Sequence, residues 1–244
     1  VDEDVSVASN RELARTYAQR AISADPSLWE PYYALGQVFH ETQNLDAAIR
    51  EYRNAADRAP DNARVYFELG NAQFDARRYS DARQSYETSV FLDNTNENAF
   101  FNLGLTHERL GSNSAALQAF QTAVAVRGDY ATAHFKVGDI LRKTGDLAGA
   151  VSAFQQAITH DPDEDRNHRA LGLALLEQGQ QQQALAAFEQ AVSLDATSAT
   201  NNHNLANANY EVGQLENALP YAAEAVRLEP TSPVYNYTLA LIID

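Results

Sequence analysis

Three groups of side chains in this sequence have types and spacings that could do chemistry. His134 and His168 stand 34 residues apart and His203 follows one slot beyond the next step, so their imidazoles invite a zinc or manganese reading. The alternative is structural or surface histidine. Asp161, Asp163, Glu164 and Asp165 crowd one short stretch, as a calcium loop would. No EF-hand spacing or glycine accompanies them, and acidic side chains are also favoured at a helix N-terminus. Asn236-Tyr237-Thr238 fits a glycosylation acceptor, although its surroundings read as helix. Glycine-rich phosphate loops, nucleophile elbows and H-E-x-x-H helices are missing from the sequence. With no cysteine, thiolate metal sites, disulfides and cysteine nucleophiles are excluded together. The sequence therefore reads as non-enzymatic, with no cofactor implied.

Composition narrows the partner class. Hydrophobic residues make up 45% of the 244 and charged residues 21%, enough apolar material for a packed core. The formal charge is −15, with only two lysines, Lys136 and Lys143. Such a chain repels phosphate backbones, which argues against nucleic acid. No stretch reaches the roughly 18 apolar residues of a membrane span, so direct membrane insertion is not expected. The absence of methionine, even at residue 1, suggests a processed or excised piece. Absent cysteine suits cytoplasmic and extracytoplasmic compartments alike, leaving localisation open.

What must position these side chains is a repeat. Leu35-Gly36, Leu69-Gly70, Leu103-Gly104, Val137-Gly138, Leu171-Gly172, Leu205-Ala206 and Leu239-Ala240 recur every 34 residues without a gap. Ala14, Ala48, Ala82, Ala116, Ala150, Ala184 and Ala218 keep the same step, as do Ala21, Ala55, Ser89, Ala123, Ala157, Ala191 and Ala225. Between those two series lie Tyr52, Tyr86, Phe120, Phe154 and Phe188. Within a period the apolar spacing is helical twice over, separated by a polar break. Gly111, Gly145, Gly179 and Gly213 occupy the break, where a left-handed residue would end the first helix. Gln43 and Arg77 fill that slot in the first two periods, tolerable at about 1 kcal/mol each. Pro26, Pro60, Pro162 and Pro230 are expected to stop the second helices, with Asn94, Gly128 and Ala196 in their place elsewhere. The small residues allow close helix approach, and the rings are expected to fill the space between adjacent pairs. One pair cannot bury its apolar face alone, so the units must stack. Equivalent histidines then stand about 8–10 Å apart, too far to share an ion without further ligands.

Tyr32-x2-Leu35-Gly36-x2-Phe39, then Ala48-x3-Tyr52 and Pro60, resembles the tetratricopeptide repeat signature. The resemblance implies an all-α, right-handed superhelical solenoid forming a single domain. Its complete units are 29–62, 63–96, 97–130, 131–164, 165–198 and 199–232, with half-repeats at 7–28 and 233–244. Half-repeats at both ends suggest a segment of a longer protein. The C-terminal helix Val234–Asp244 carries Leu239, Leu241, Ile242 and Ile243, which makes self-association through it a further expectation.

In that family the first helix of each pair lines a groove that holds an extended peptide or a helix of a partner. The groove stripe here includes Tyr33, Phe67, Phe101, Phe135, Arg169, His203 and Tyr237, five of them aromatic. Those rings either grip apolar side chains of a partner or pack between neighbouring first helices. Asn71, Asn102, Asn204 and Asn207 share the face, and an amide matches the backbone of an extended peptide whatever its sequence. The family's carboxylate clamp fits poorly: Asn71, Asn102 and Lys136 match, but Phe67 and Thr132 replace its two lysines. Charge is uneven along the chain. Residues 1–108 hold 10 basic and 18 acidic side chains, 109–169 seven of each, and 170–244 one against eight. Arg109, Lys136, Arg142, Lys143, Arg166 and Arg169 lie in that neutral centre, either as surface variation or as a basic saddle for an acidic ligand. The function implied is a protein-interaction scaffold that binds a peptide or helix through Tyr33, Phe67, Asn71, Phe101, Asn102, Arg109, Phe135, Lys136, Lys143, Arg169, Asn204 and Asn207. A recognition arm of a larger enzyme, such as a glycosyltransferase, and a self-assembling scaffold are the alternatives.

Overall fold

The computed structural model describes the backbone of residues 2–244 and the side chains of residues 10–244. Every element among them is a helix. One compact unit, Val1–Arg127, holds α1 (Asp2–Ala24), α2 (Glu30–Glu41), α3 (Leu45–Arg58), α4 (Ala63–Asp75), α5 (Tyr79–Leu92), α6 (Glu97–Arg109) and α7 (Asn113–Val126). The other, Gly128–Asp244, holds α8 (Ala131–Thr144), α9 (Leu147–His160), α10 (Asp165–Glu177), α11 (Gln181–Leu194), α12 (Ala199–Glu211), α13 (Leu215–Leu228) and α14 (Pro233–Ile243). In the first unit α2 and α3, α4 and α5, and α6 and α7 form hairpins, and α1 packs on α2. In the second the hairpins are α8 with α9, α10 with α11 and α12 with α13, and α14 packs on α12 and α13.

Each hairpin turn is closed by one left-handed residue. Gln43 (φ 59°), Arg77 (58°), Gly111 (75°), Gly145 (88°), Gly179 (77°) and Gly213 (77°) all adopt it. The following amide then reaches back to the fifth carbonyl upstream, as in Asn44 N–H to Phe39 (2.9 Å) and Gln214 N–H to Asn209 (2.8 Å). Second helices end at Arg58, His160 and Leu228, two residues before proline. They end at the same slot in Leu92, Val126 and Leu194, where Asn94, Gly128 and Ala196 replace it. Proline is therefore not required to stop them.

The rings lie elsewhere than expected. Tyr52, Tyr86, Phe120, Phe154 and Phe188 do not fill the space between adjacent pairs but lie inside their own hairpins, against the glycine of the first helix. A Cβ at Gly36, Gly70, Gly104, Gly138 or Gly172 would come within 2.6–2.7 Å of the facing ring. Glycine and ring are one volume-matched pair. Where Ala206 takes the glycine slot, Ala222 takes the ring slot, and both are buried. The alanine series from Ala48 to Ala218 is fully buried, while Ala14 is exposed. Ser89 enters the second alanine series because its hydroxyl donates to the Ala63 carbonyl (2.9 Å).

Candidate functional site

In the Val1–Arg127 unit, first helices α2, α4 and α6, with Tyr86 of α5, enclose a pocket of about 390 Å3. His40, Asn71, Phe74, Asp75, Tyr86, Asn102 and Leu105 line it. The helical repeat places them there: Asn71, Phe74 and Asp75 follow one another on the same face of α4 one turn apart. Tyr86 points its hydroxyl past Gly70, whose missing Cβ leaves room for the ring.

Two amides expected on this face meet directly. Asn102 Nδ2 donates to Asn71 Oδ1 (2.9 Å), and the Tyr86 hydroxyl donates to the same oxygen (2.7 Å). Asn71 Nδ2 in turn donates to Glu68 Oε2 (3.1 Å). On the other wall His40 Nε2 lies 2.8 Å from Asp75 Oδ2. Burial pushes the Tyr86 phenol far above its usual value, and the neighbouring Asp75 and Glu68 carboxylates push the same way, against a smaller opposing pull from the Asn102 amide. Sequence reading missed His40, Phe74, Asp75, Tyr86 and Leu105 as liners. Asp75 occupies the acidic slot shared with Glu41, Glu177 and Glu211, and that slot one turn past Asn71 was the available signal.

The aromatic stripe is partly consumed by packing. Tyr33 lies 5.7 Å from Tyr52, Phe67 6.1 Å from Tyr86, Phe101 5.3 Å from Phe120 and Phe135 5.6 Å from Phe154, each pair tilted by 54–60°. Tyr33 is buried, whereas Phe67, Phe101 and Phe135 keep part of their surface exposed. Arg64 covers the Tyr33 ring at 5.2 Å, and Arg166 covers Phe135 at 4.4 Å. Arg109 is exposed in the last turn of α6.

In the Gly128–Asp244 unit the cations are answered locally. Arg142 pairs with Glu177 (2.5 Å) and Lys143 with Asp139 (2.6 Å). Arg169 donates to Asp165 Oδ2 (2.9 Å) and to Asn201 Oδ1 (2.7 Å). Asn201, fully buried, donates to the same Asp165 oxygen (2.8 Å) and so ties α10 to α12. Lys136 is half-buried on α8, and Asn204 half-buried on α12. Asn207 Nδ2 donates to His203 Nε2 (3.0 Å), and the His203 ring lies 4.8 Å from Tyr235.

The paired histidines have a positive explanation. His134 Nε2 donates to the Gly128 carbonyl and His168 Nε2 to that of Pro162, both at 2.9 Å. Asn202 and Asn236 bond the carbonyls of Ala196 and Pro230 in the same way, also at 2.9 Å. This slot staples the loop six residues upstream to the new helix. Among the described residues no group of three or more histidine and carboxylate side chains could hold a metal ion. In the acidic stretch, Asp165 is engaged by Arg169 and Asn201, and Glu164 lies 3.6 Å from Arg166.

A family pattern described as "Tetratricopeptide repeat" matches residues 7–53, 33–97 and 101–167, and one described as "TPR repeat" matches 172–213. The chain belongs to the tetratricopeptide repeat family. Solved structures agree on the fold. A crystal structure of MamA is 27% identical, with a TM-score of 0.66, over 70% of this chain and 94% of that one. YrrB, titled a TPR protein with an unusual peptide-binding site, is 22% identical, with a TM-score of 0.69, over 76% and 96%. PilF of Pseudomonas aeruginosa is 16% identical, with a TM-score of 0.71, over 95% and 99%. Curated proteins give no match. In this tetratricopeptide repeat chain no described helix is long and apolar enough to cross a membrane.

Proposed function

We propose that the chain is a protein-interaction scaffold whose first helices bind an extended segment or helix of a partner. The observation that carries this reading is the pocket among α2, α4 and α6, where the Asn71 and Asn102 amides stand among Phe74, Tyr86 and Leu105, with the part-exposed rings of Phe67 and Phe101 on the same first helices. An amide pair offers donors and acceptors to a peptide backbone, and ring edges offer apolar contact. The unusual peptide-binding site of YrrB supports the same class of role. In this unit the proposed contacts are Tyr33, Phe67, Asn71, Phe101, Asn102 and Arg109. In the Gly128–Asp244 unit they are Phe135, Lys136, Lys143, Arg169, Asn204 and Asn207, with Arg169 held in place by Asp165 and Asn201.

Displayed random 12-residue peptides selected on the chain test this. Phe101→Leu with Asn102→Ala keeps a hydrophobic side chain against Phe120 and removes the amide. Loss of about tenfold or more in affinity for the selected peptides is expected, with helical content and melting retained. Unchanged affinity would remove this face from the reading.

A second reading rests on α14. Val234 (57%), Tyr237 (68%) and Leu241 (40%) share one exposed stripe and Ile243 (67%) is exposed on the opposite side of the last turn, apolar surface suited to self-association. Light scattering should then give a larger particle than for Leu241→Ser with Ile243→Ser; identical sizes would dismiss α14 as the contact.

A further inference from the structure

The α2–α4–α6 pocket has a polarity that selects among partner side chains, an inference that rests on the proposed binding of an extended segment to this face. Its walls combine apolar and acceptor surface. Phe74 and Leu105 supply the apolar sides. Asn71 Oδ1 is saturated, taking both the Tyr86 hydroxyl and an Asn102 N–H. That bond leaves the Asn102 carbonyl oxygen able to accept. Asp75 has one oxygen on His40 and a side chain 51% exposed, so its second oxygen is within reach of solvent and ligand. Glu68, outside the lining, accepts from the Asn71 amide and holds its orientation. Asp75 is the carboxylate among the residues that line the pocket. A carboxylate ligand would meet the like charge of Asp75 there.

We propose that this pocket takes the arginine side chain of a partner segment. A guanidinium carries five N–H donors and no acceptor, is less hydrated than an ammonium, and stacks on aromatic rings. Its donors match Asp75 and the Asn102 carbonyl, and its face and methylene stem match Phe74 and Leu105. The volume of about 390 Å3 admits one such side chain with room for water.

The test uses the full chain, 15N-labelled, titrated separately with N-acetyl-arginine amide, N-acetyl-norleucine amide and N-acetyl-glutamate amide, following the side-chain amide signals of Asn71 and Asn102. Saturable movement with the arginine compound is expected, at least about tenfold tighter than with either of the others. Asp75→Asn should weaken the arginine compound about tenfold, while Asp81→Asn, on α5 outside the pocket, should leave it unchanged. Norleucine binding as tightly as arginine would overturn the charge preference yet leave the extended-segment reading standing. Absence of saturation, or an Asp75→Asn titration identical to the parent, would overturn the arginine assignment itself, and peptides selected on the chain would then show no enrichment in arginine.

Discussion

A glycine facing a ring makes five of the six hairpins tight, and this pairing is where single substitutions should tell most. Gly104→Ala would bring a methyl within 2.6 Å of Phe120, and overpacking of this kind typically costs about 1–3 kcal/mol. Combining it with Phe120→Ala should cost less than the sum of the two single changes, because Ala206 with Ala222 is the same compromise already built into this chain. Urea unfolding of the four proteins measures the coupling, and strict additivity would refute it. The left-handed slot gives the opposite sign. Gln43 and Arg77 hold φ near 59° and 58°, so Gln43→Gly and Arg77→Gly should each stabilise by up to about 1 kcal/mol. Glycine's larger entropy loss on folding offsets part of that gain.

Between elements, buried polar ties decide how a helix is seated. Asn201 accepts from Arg169 and donates to Asp165, Ala191 and Asp195. Asn201→Ala removes one bond from each of those partners while Arg169 and Asp165 keep each other, for a loss of about 1–2 kcal/mol by denaturant unfolding. The α12–α14 contact adds a pH dependence. Burial lowers the pKa of His203 below its ordinary 6.5. Burial also lowers that of His107, with Glu87 opposing and Arg83 assisting. The folded chain thus binds these protons less well than the unfolded chain. Their contribution is complete above the unfolded value near 6.5 and is lost as pH falls below it through the lowered folded values. The urea midpoint should therefore fall between pH 7 and pH 5, and the fall should shrink in His203→Gln. A slope unchanged by that substitution would locate the titration elsewhere. Asp25, Asp93 and Asp195, lowered by bonds from Ser27, Thr95 and Thr197, belong to a separate window below their ordinary 3.8.

At the scale of the whole molecule, hairpins stacked within each unit make stability a local property. Gly104→Ala should accelerate hydrogen exchange in α6 and α7 far more than in α11 and α12, and uniform acceleration would mean the chain unfolds as one block. The charge of −15 acts on the same scale. It is consistent with a pocket that prefers a cation, and binding of the arginine compound should weaken as salt screens the carboxylates.

The sequence by itself determined the helical hairpin, its 34-residue step, the left-handed turn slot and the face on which amides and rings recur. Each of these depends on residue type at short range: a φ requirement, a helical stripe, a small side chain. The all-α class was legible for that reason. Only the tertiary structure decided that the rings sit on glycines inside each hairpin, that Arg169 is held by Asp165 and Asn201, and that His40 and Asp75 join Asn71 and Asn102 around one pocket. Those outcomes depend on which side chains meet across helices about 30 residues apart. A one-dimensional pattern names the candidates on a face, but partners and pocket polarity arise only when neighbouring hairpins are brought together.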